Sequence, residues 1–135
     1  MYSKILVPLA LDHGVSQSLF SLARGLLNPG GEITALHVVE APFGLAQATQ
    51  GEDLAKQTFE RAKVMMQDKV RGQAGITSRI VEGHVYRSIL SFAEENGVTC
   101  IVMGSHKPGL SDYLIGSTAA RVVRHARCSV HVHRA

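Results

Sequence analysis

The run Ile101-Val102-Met103-Gly104-Ser105-His106-Lys107-Pro108-Gly109-Leu110-Ser111-Asp112-Tyr113-Leu114-Ile115-Gly116-Ser117-Thr118-Ala119-Ala120 carries the fold signal of this chain. A short apolar segment ends in a glycine, a small polar loop follows, and a second glycine with two hydroxyl residues opens a helical pattern. Glycines let backbone N–H groups approach a ligand closely, and the first turn of a helix presents N–H donors that have no partner inside the helix. A strand, a glycine-bounded loop and a helix start therefore predict a phosphate cradle.

Outward from this stretch the chain alternates between strand and helix patterns. Lys4 to Leu9 is a continuous apolar run of the kind expected for a strand covered on both faces, with Pro8 marking its carboxyl end. Asp12-His13-Gly14 is turn chemistry. From Ser16, the residues Leu19, Leu22, Ala23 and Leu26 recur at helical spacing until Asn28-Pro29-Gly30-Gly31 breaks the pattern. Glu32 to Val39 reads as the second strand, closed by Ala41-Pro42, and Phe43 to Gln50 as a loop without a period. A long helix follows from Asp53, with Ala55, Phe59, Ala62, Met66 and Val70 on one face and Met65 and Met66 as core filler.

Gly72 and Gly75 end that helix. Ile76 to Glu82 makes a third strand, and Tyr86 to Asn96 a third helix with Ile89, Phe92 and Ala93 facing inward, stopped at Asn96-Gly97. Val98 to Met103 is the fourth strand. Beyond the opening loop, Ala119, Val122, Val123 and Ala126 stripe a fourth helix, and Ser129 to His133 is the last strand.

Five strands alternating with four helices predict an α/β fold, an open five-stranded parallel sheet with helices on both faces in a Rossmann-like arrangement, and if its order is 3-2-1-4-5 the winding reverses between the first and fourth strands. At 135 residues the chain suits one domain spanning 1–135, which would bury about 65–70% of its unfolded surface. In such sheets ligands sit outside the carboxyl ends of the strands where the winding reverses, here between the first and fourth strands. Topology and the glycine-bounded loop therefore point to one crevice.

Composition narrows the function. The longest apolar run, Ile5 to Leu11, is too short to cross a bilayer, and no charged-then-apolar leader follows Met1, so a cytoplasmic protein without a membrane partner is expected. Cys100 and Cys128 lack metal or redox spacing and read as packing residues. The net charge of +3 comes from dispersed lysines and arginines, the one concentration being Arg121, Arg124 and Arg127, where basic residues late in a helix face its negative end. With three Tyr, four Phe and no Trp, and no pair clustered in the sequence, nucleic-acid binding is not expected. No GxxxxGK[ST] and no GxGxxG after the first strand occur, which sets aside P-loop and dinucleotide sites.

What remains resembles the universal stress protein family over the whole chain. The resemblance rests on Lys4-Ile5-Leu6-Val7-Pro8, on Leu36-His37-Val38-Val39 and on Glu82-Gly83. It continues through Val102-Met103-Gly104-Ser105-His106, Gly116-Ser117-Thr118 and the closing Arg121-Val122-Val123-Arg124-His125-Ala126-Arg127-Cys128-Ser129-Val130. The loop looks like that of the small single-domain F/G-type subgroup.

The resemblance implies a homodimer, formed through the last strand, 129–133. It also implies a stress-response regulator that binds ATP, or AMP or ADP in its place, with Mg accompanying the phosphates. By it Gly104, His106, Gly116, Ser117 and Thr118 would hold the phosphates, Val38 and Met103 would flank adenine and ribose, and Pro8 and Gly109 would join the lining. Two departures stand out. Lys107 occupies the place of the second glycine in G-x2-G-x9-G-[ST], in a loop one residue shorter, and Ala10 occupies the place of an acidic residue that pairs with adenine or ribose. Lys107 can neutralise phosphate charge, and Asp12 can reach in from two residues on.

No catalytic residue and no metal site are assigned. His131 and His133 share a face of the last strand and read as satisfied histidines, His37 as a core histidine with a backbone partner, and Ser117 also as the cap of its helix. A slow ATPase or phosphotransferase using His106 and Asp112, and an interaction module that has lost its nucleotide, are the rival readings.

Overall fold

Ile5, Leu6 and Val7 are all sealed from solvent, and consecutive residues of a strand point to opposite faces, so the strand that carries them is covered on both sides. A computed structural model shows how. It describes residues 1–11, 16–40, 51–105 and 115–134. The elements are β1 (Tyr2–Pro8), α1 (Ser16–Leu26), β2 (Leu27–Val39), α2 (Gly51–Val70), β3 (Ile76–Glu82), α3 (Val85–Glu95), β4 (Cys100–Gly104), α4 (Ser117–His125) and β5 (Ser129–His133). The strands form one sheet in the order β3-β2-β1-β4-β5, and every pairing is parallel.

Alternation in the strands sorts the core into two layers. Ile5, Val7, Ile33, Ala35 and Val102 pack with Leu19, Phe20 and Ala23 of α1 and Ala62 and Met66 of α2. Leu6, Leu36, Val38, Ile101 and Met103 pack on the other face with Ile89, Phe92 and Ala93 of α3 and Ala119 and Val122 of α4. The β1–α1 and β2–α2 connections therefore place their helices on one side of the sheet, and the β3–α3 and β4–α4 connections on the other. That change of side accompanies the reversal of strand order next to β1, as right-handed crossovers require.

The largest difference from the sequence reading is at Asn28-Pro29-Gly30-Gly31, expected to separate helix from strand. β2 instead begins at Leu27, directly after α1, and runs through these residues beside the start of β1, with a register irregularity between Tyr2 and Lys4. Gly30 takes φ 80°, which supplies the irregularity. Gly31 answers to space: a Cβ there would lie 2.8 Å from the Ser3 carbonyl oxygen and 2.6 Å from a Leu27 methyl carbon.

Two residues given to the core lie outside it. Met65 is 36% exposed while its neighbour Met66 is 1% exposed, and Val123 is 48% exposed beside the sealed Val122. A helix presents only one stripe to the sheet, so in each adjacent pair one residue must turn away. The fourth strand starts at Cys100, but the Thr99 N–H still donates to the Lys4 carbonyl at 2.8 Å, carrying the β1–β4 ladder one residue further back. Asn96 and Gly97 do end α3, Asn96 as its cap and Gly97 at φ 66°. Ala41 to Gln50, the Asp12-His13-Gly14 turn and Ala135 lie outside the described residues.

Candidate functional site

β1 and β4 are neighbours in the sheet, and their connections leave toward opposite faces, so a crevice opens beyond their carboxyl ends. Pro8 ends β1, and the chain continues across the sheet end as Leu9, Ala10 and Leu11. Leu9 and Leu11 turn into the α1–α2 core, which leaves Ala10 exposed between them. Two bonds hold this segment against β2: the Leu9 N–H donates to the Leu36 carbonyl at 2.8 Å, and His37 Nδ1 donates to the Leu9 carbonyl at 2.8 Å. A carbonyl only accepts, so Nδ1 carries the proton. His37 has the expected backbone partner, the segment bordering the crevice, but is half-buried rather than in the core.

From β4, Met103 packs into the α3–α4 core and Gly104 ends the strand half-buried. Ser105 is buried, its N–H donating to the His133 carbonyl at 2.9 Å, which ties the start of the loop to the end of β5. His106, Lys107, Gly109 and Asp112 lie outside the described residues, as does Asp12.

At the far end of the loop, Gly116 rather than Ser117 caps α4, with extended φ −62° and ψ 156°. Ser117 is therefore the first helical residue. The Gly116 N–H donates to the Ser105 carbonyl, closing the two ends of the loop upon each other. That N–H is consequently spent inside the protein. The next three, of Ser117, Thr118 and Ala119, have no partner within the helix, and the first intrahelical bond is from the Ala120 N–H to the Gly116 carbonyl at 2.9 Å. With the exposed Ser117 and half-buried Thr118 hydroxyls, they form a donor-rich helix start suited to a negatively charged group. Val38, near the end of β2, is buried in the α3–α4 layer two strands away from β4.

The universal stress protein family model matches residues 1–134. The chain belongs to that family. Among its relatives, a universal stress protein of Methanothermobacter thermautotrophicus is 32% identical over 99% of this chain and 97% of its own. The solved structure of a universal stress protein from Lactobacillus plantarum superposes with a TM-score of 0.82 at 26% identity, covering 98% of both chains. Two more distant structures share the fold: a universal stress protein in complex with cAMP, at TM-score 0.71 and 14% identity over 98% of this chain and 97% of that one, and an Arabidopsis thaliana family protein with AMP bound, at 0.65 and 15% over 98% and 91%.

In this universal stress protein the cysteines pack as their patterns predicted, Cys100 within one core layer and Cys128 against the other. Burial pushes the Cys100 thiol up to about 11 and raises that of Cys128. His131 and His133 pair in register with Val102 and Gly104, and no cluster of three metal-ligating side chains exists among the described residues. None of the described helices is long and apolar enough to cross a membrane. A recess of about 250 Å³ between α3 and α4, lined by Leu90, Val98, Ala126 and Cys128 among others, opens at the other end of the sheet, before β4 and β5 begin.

Sequence reading missed Ser105, whose backbone joins the loop to β5, because a serine in a polar loop carries no signal of a buried tie. It also missed the gathering of Tyr86 with Arg121 and His125, which stand on different helices.

Proposed function

We propose that this universal stress protein binds an adenine nucleotide in the crevice beyond β1 and β4 and uses its occupancy as a regulatory signal in a stress response. One observation carries the reading: the strand order reverses at β1, and the Ser117, Thr118 and Ala119 N–H groups, which have no partner within their helix, start α4 where the Gly116–Ser105 bond brings it to the end of β4. The AMP and cAMP complexes of proteins with the same fold support an adenine ligand. ATP, accompanied by Mg, is the proposed nucleotide, with AMP or ADP as alternatives.

Gly104, Ser117 and Thr118 would receive the phosphates with His106 and Lys107, Gly116 would leave room for them beside the helix start, and Gly109 would shape the loop. Pro8, Ala10, Val38 and Met103 would flank the base and ribose, and Asp12 would supply the carboxylate that Ala10 cannot. No residue is assigned a catalytic role, so bound nucleotide acts by stabilising one state of the protein. A homodimer through β5 is part of the proposal, supported by the place of Ser129–His133 at the sheet edge, where one side has no strand partner among the described residues. A single domain in the cytoplasm completes the reading.

At a concentration of 100 Kd, a ligand bound only to the folded state adds about 2.7 kcal/mol, which for a chain of this size raises Tm by roughly 9 °C. Gly116→Val tests the site. The extended backbone at Gly116 accepts valine, so the substitution fills space at the helix start without forcing the chain. The variant is expected to melt cooperatively without nucleotide and to show no ATP-dependent rise. A rise equal to that of the wild type would remove the helix start from the binding site.

A further inference from the structure

The outer flank of α3 and α4 gathers guanidinium groups on aromatic rings. Arg87 and Arg121 lie over Tyr86, with Cζ 5.7 and 5.3 Å from the ring centroid, and Arg79 of β3 lies over Phe92 at 5.5 Å. His84 meets the Tyr86 ring edge-on at 4.8 Å, and His125 stacks near it at 6.1 Å. Arg87 Nε also donates to the Tyr86 hydroxyl at 3.3 Å, and this hydrogen bond draws the hydroxyl's pKa below its ordinary value. Arg124 stands one turn from Arg121 on the same side of α4.

Among the described residues, no carboxylate answers these cations. Glu94, on α3, is held by Arg127 at 3.0 Å. Neither Glu82 nor Glu95 forms an ion pair with Arg79, Arg87 or Arg121, and among the described residues those three arginines meet no carboxylate.

We propose that this flank docks a carboxylate-rich segment of a partner protein, with Arg87 and Arg121 as paired anchors on Tyr86 and Arg79 and Arg124 as flanking charges. A guanidinium resting on a ring has already given up part of its rotamer freedom, so engaging a partner costs it less, and its planar fork matches a carboxylate in two hydrogen bonds. The surroundings of Tyr86 are taken by two guanidinium groups and two imidazoles. The ring is therefore not an open platform for a nucleobase, which favours carboxylates over single-stranded nucleic acid. The proposal uses no residue of the nucleotide crevice and stands whether or not nucleotide binds.

The test is fluorescence anisotropy of a labelled (Asp-Glu)6 peptide with the full chain at about 50 mM salt, where surface charge contacts are weakly screened. Arg87→Gln together with Arg121→Gln is expected to weaken binding by at least about tenfold. Lys56→Gln with Arg61→Gln, on α2 across the sheet, removes the same net charge and is expected to change it less than about twofold. All four side chains are exposed, and thermal melting confirms folding of each variant; Arg121→Gln alone carries the test if the double variant fails to fold. Equal losses in the two double variants, no peptide binding by the wild type, or tighter binding of (dT)12 than of the peptide would each overturn the proposal.

Discussion

Replacing His37 probes how the crevice is held open at its β1 side. The imidazole Nδ1 donates to the Leu9 carbonyl at 2.8 Å, and Leu9 is itself only 8% exposed, so water replaces a lost donor poorly. Leucine keeps comparable bulk and removes the hydrogen bond, which costs about 1 kcal/mol for the bond and up to about 3 kcal/mol with the carbonyl left unsatisfied. Unfolding entropy for a chain of this length makes 1 kcal/mol worth roughly 3–4 °C, so a loss near 2 kcal/mol lowers Tm by roughly 7 °C. His37→Asn places an amide N–H near the position of Nδ1 and is expected to recover about half of the loss or more. Scanning calorimetry of the three proteins reads the effect. Hydrogen exchange at the Leu9 amide, which bonds to the Leu36 carbonyl, reports whether the segment loosens locally. A Tm for His37→Leu within about 1 °C of wild type, or an asparagine variant no better than the leucine one, would refute the assigned role.

Gly31→Ala is expected to cost about 1–3 kcal/mol, because the new Cβ meets the Ser3 carbonyl oxygen at 2.8 Å and backbone of a paired strand yields little. Adding Leu27→Ala removes only the side-chain part of that clash, so a double-mutant cycle that abolishes the whole Gly31→Ala penalty would show that the strand backbone was not the obstacle. The raised Cys100 pKa gives a pH signature. The folded thiol holds its proton up to about 11 whereas an unfolded one releases it near 9, so this group's stabilisation is complete below about pH 9 and is lost as pH rises toward 11. Melting curves from pH 8 to 11 should fall less steeply for Cys100→Ala than for the wild type, and parallel curves would contradict the assignment.

Much of this architecture was legible in the residues because it depends on local periodicity. The unbroken apolar run around Ile5-Leu6-Val7 announces a doubly covered strand, and the helical stripes through Leu19, Ile89 and Val122 announce what covers it. Alternating strands and helices joined by short links then leave few topologies, and order 3-2-1-4-5 is the one observed. The same periodicity misplaced Val123 and Met65, since a pattern of apolar residues marks a face only to within one neighbour. At Asn28-Pro29-Gly30-Gly31 turn chemistry suggested a break, but pairing with β1 prolonged the strand through it.

By itself, the amino-acid sequence determined the strands and helices and their alternation, which follow from spacing along the chain, while the strand order was one of the few topologies that alternation leaves. Only the tertiary structure decided which atoms meet: that the Gly116 N–H is consumed by Ser105, that His37 reaches the Leu9 carbonyl, and that Arg121 settles on Tyr86 from another helix. The reason is physical. Hydrophobic spacing states which side of an element seeks cover, whereas a hydrogen bond or ring contact depends on distances between segments that only packing sets.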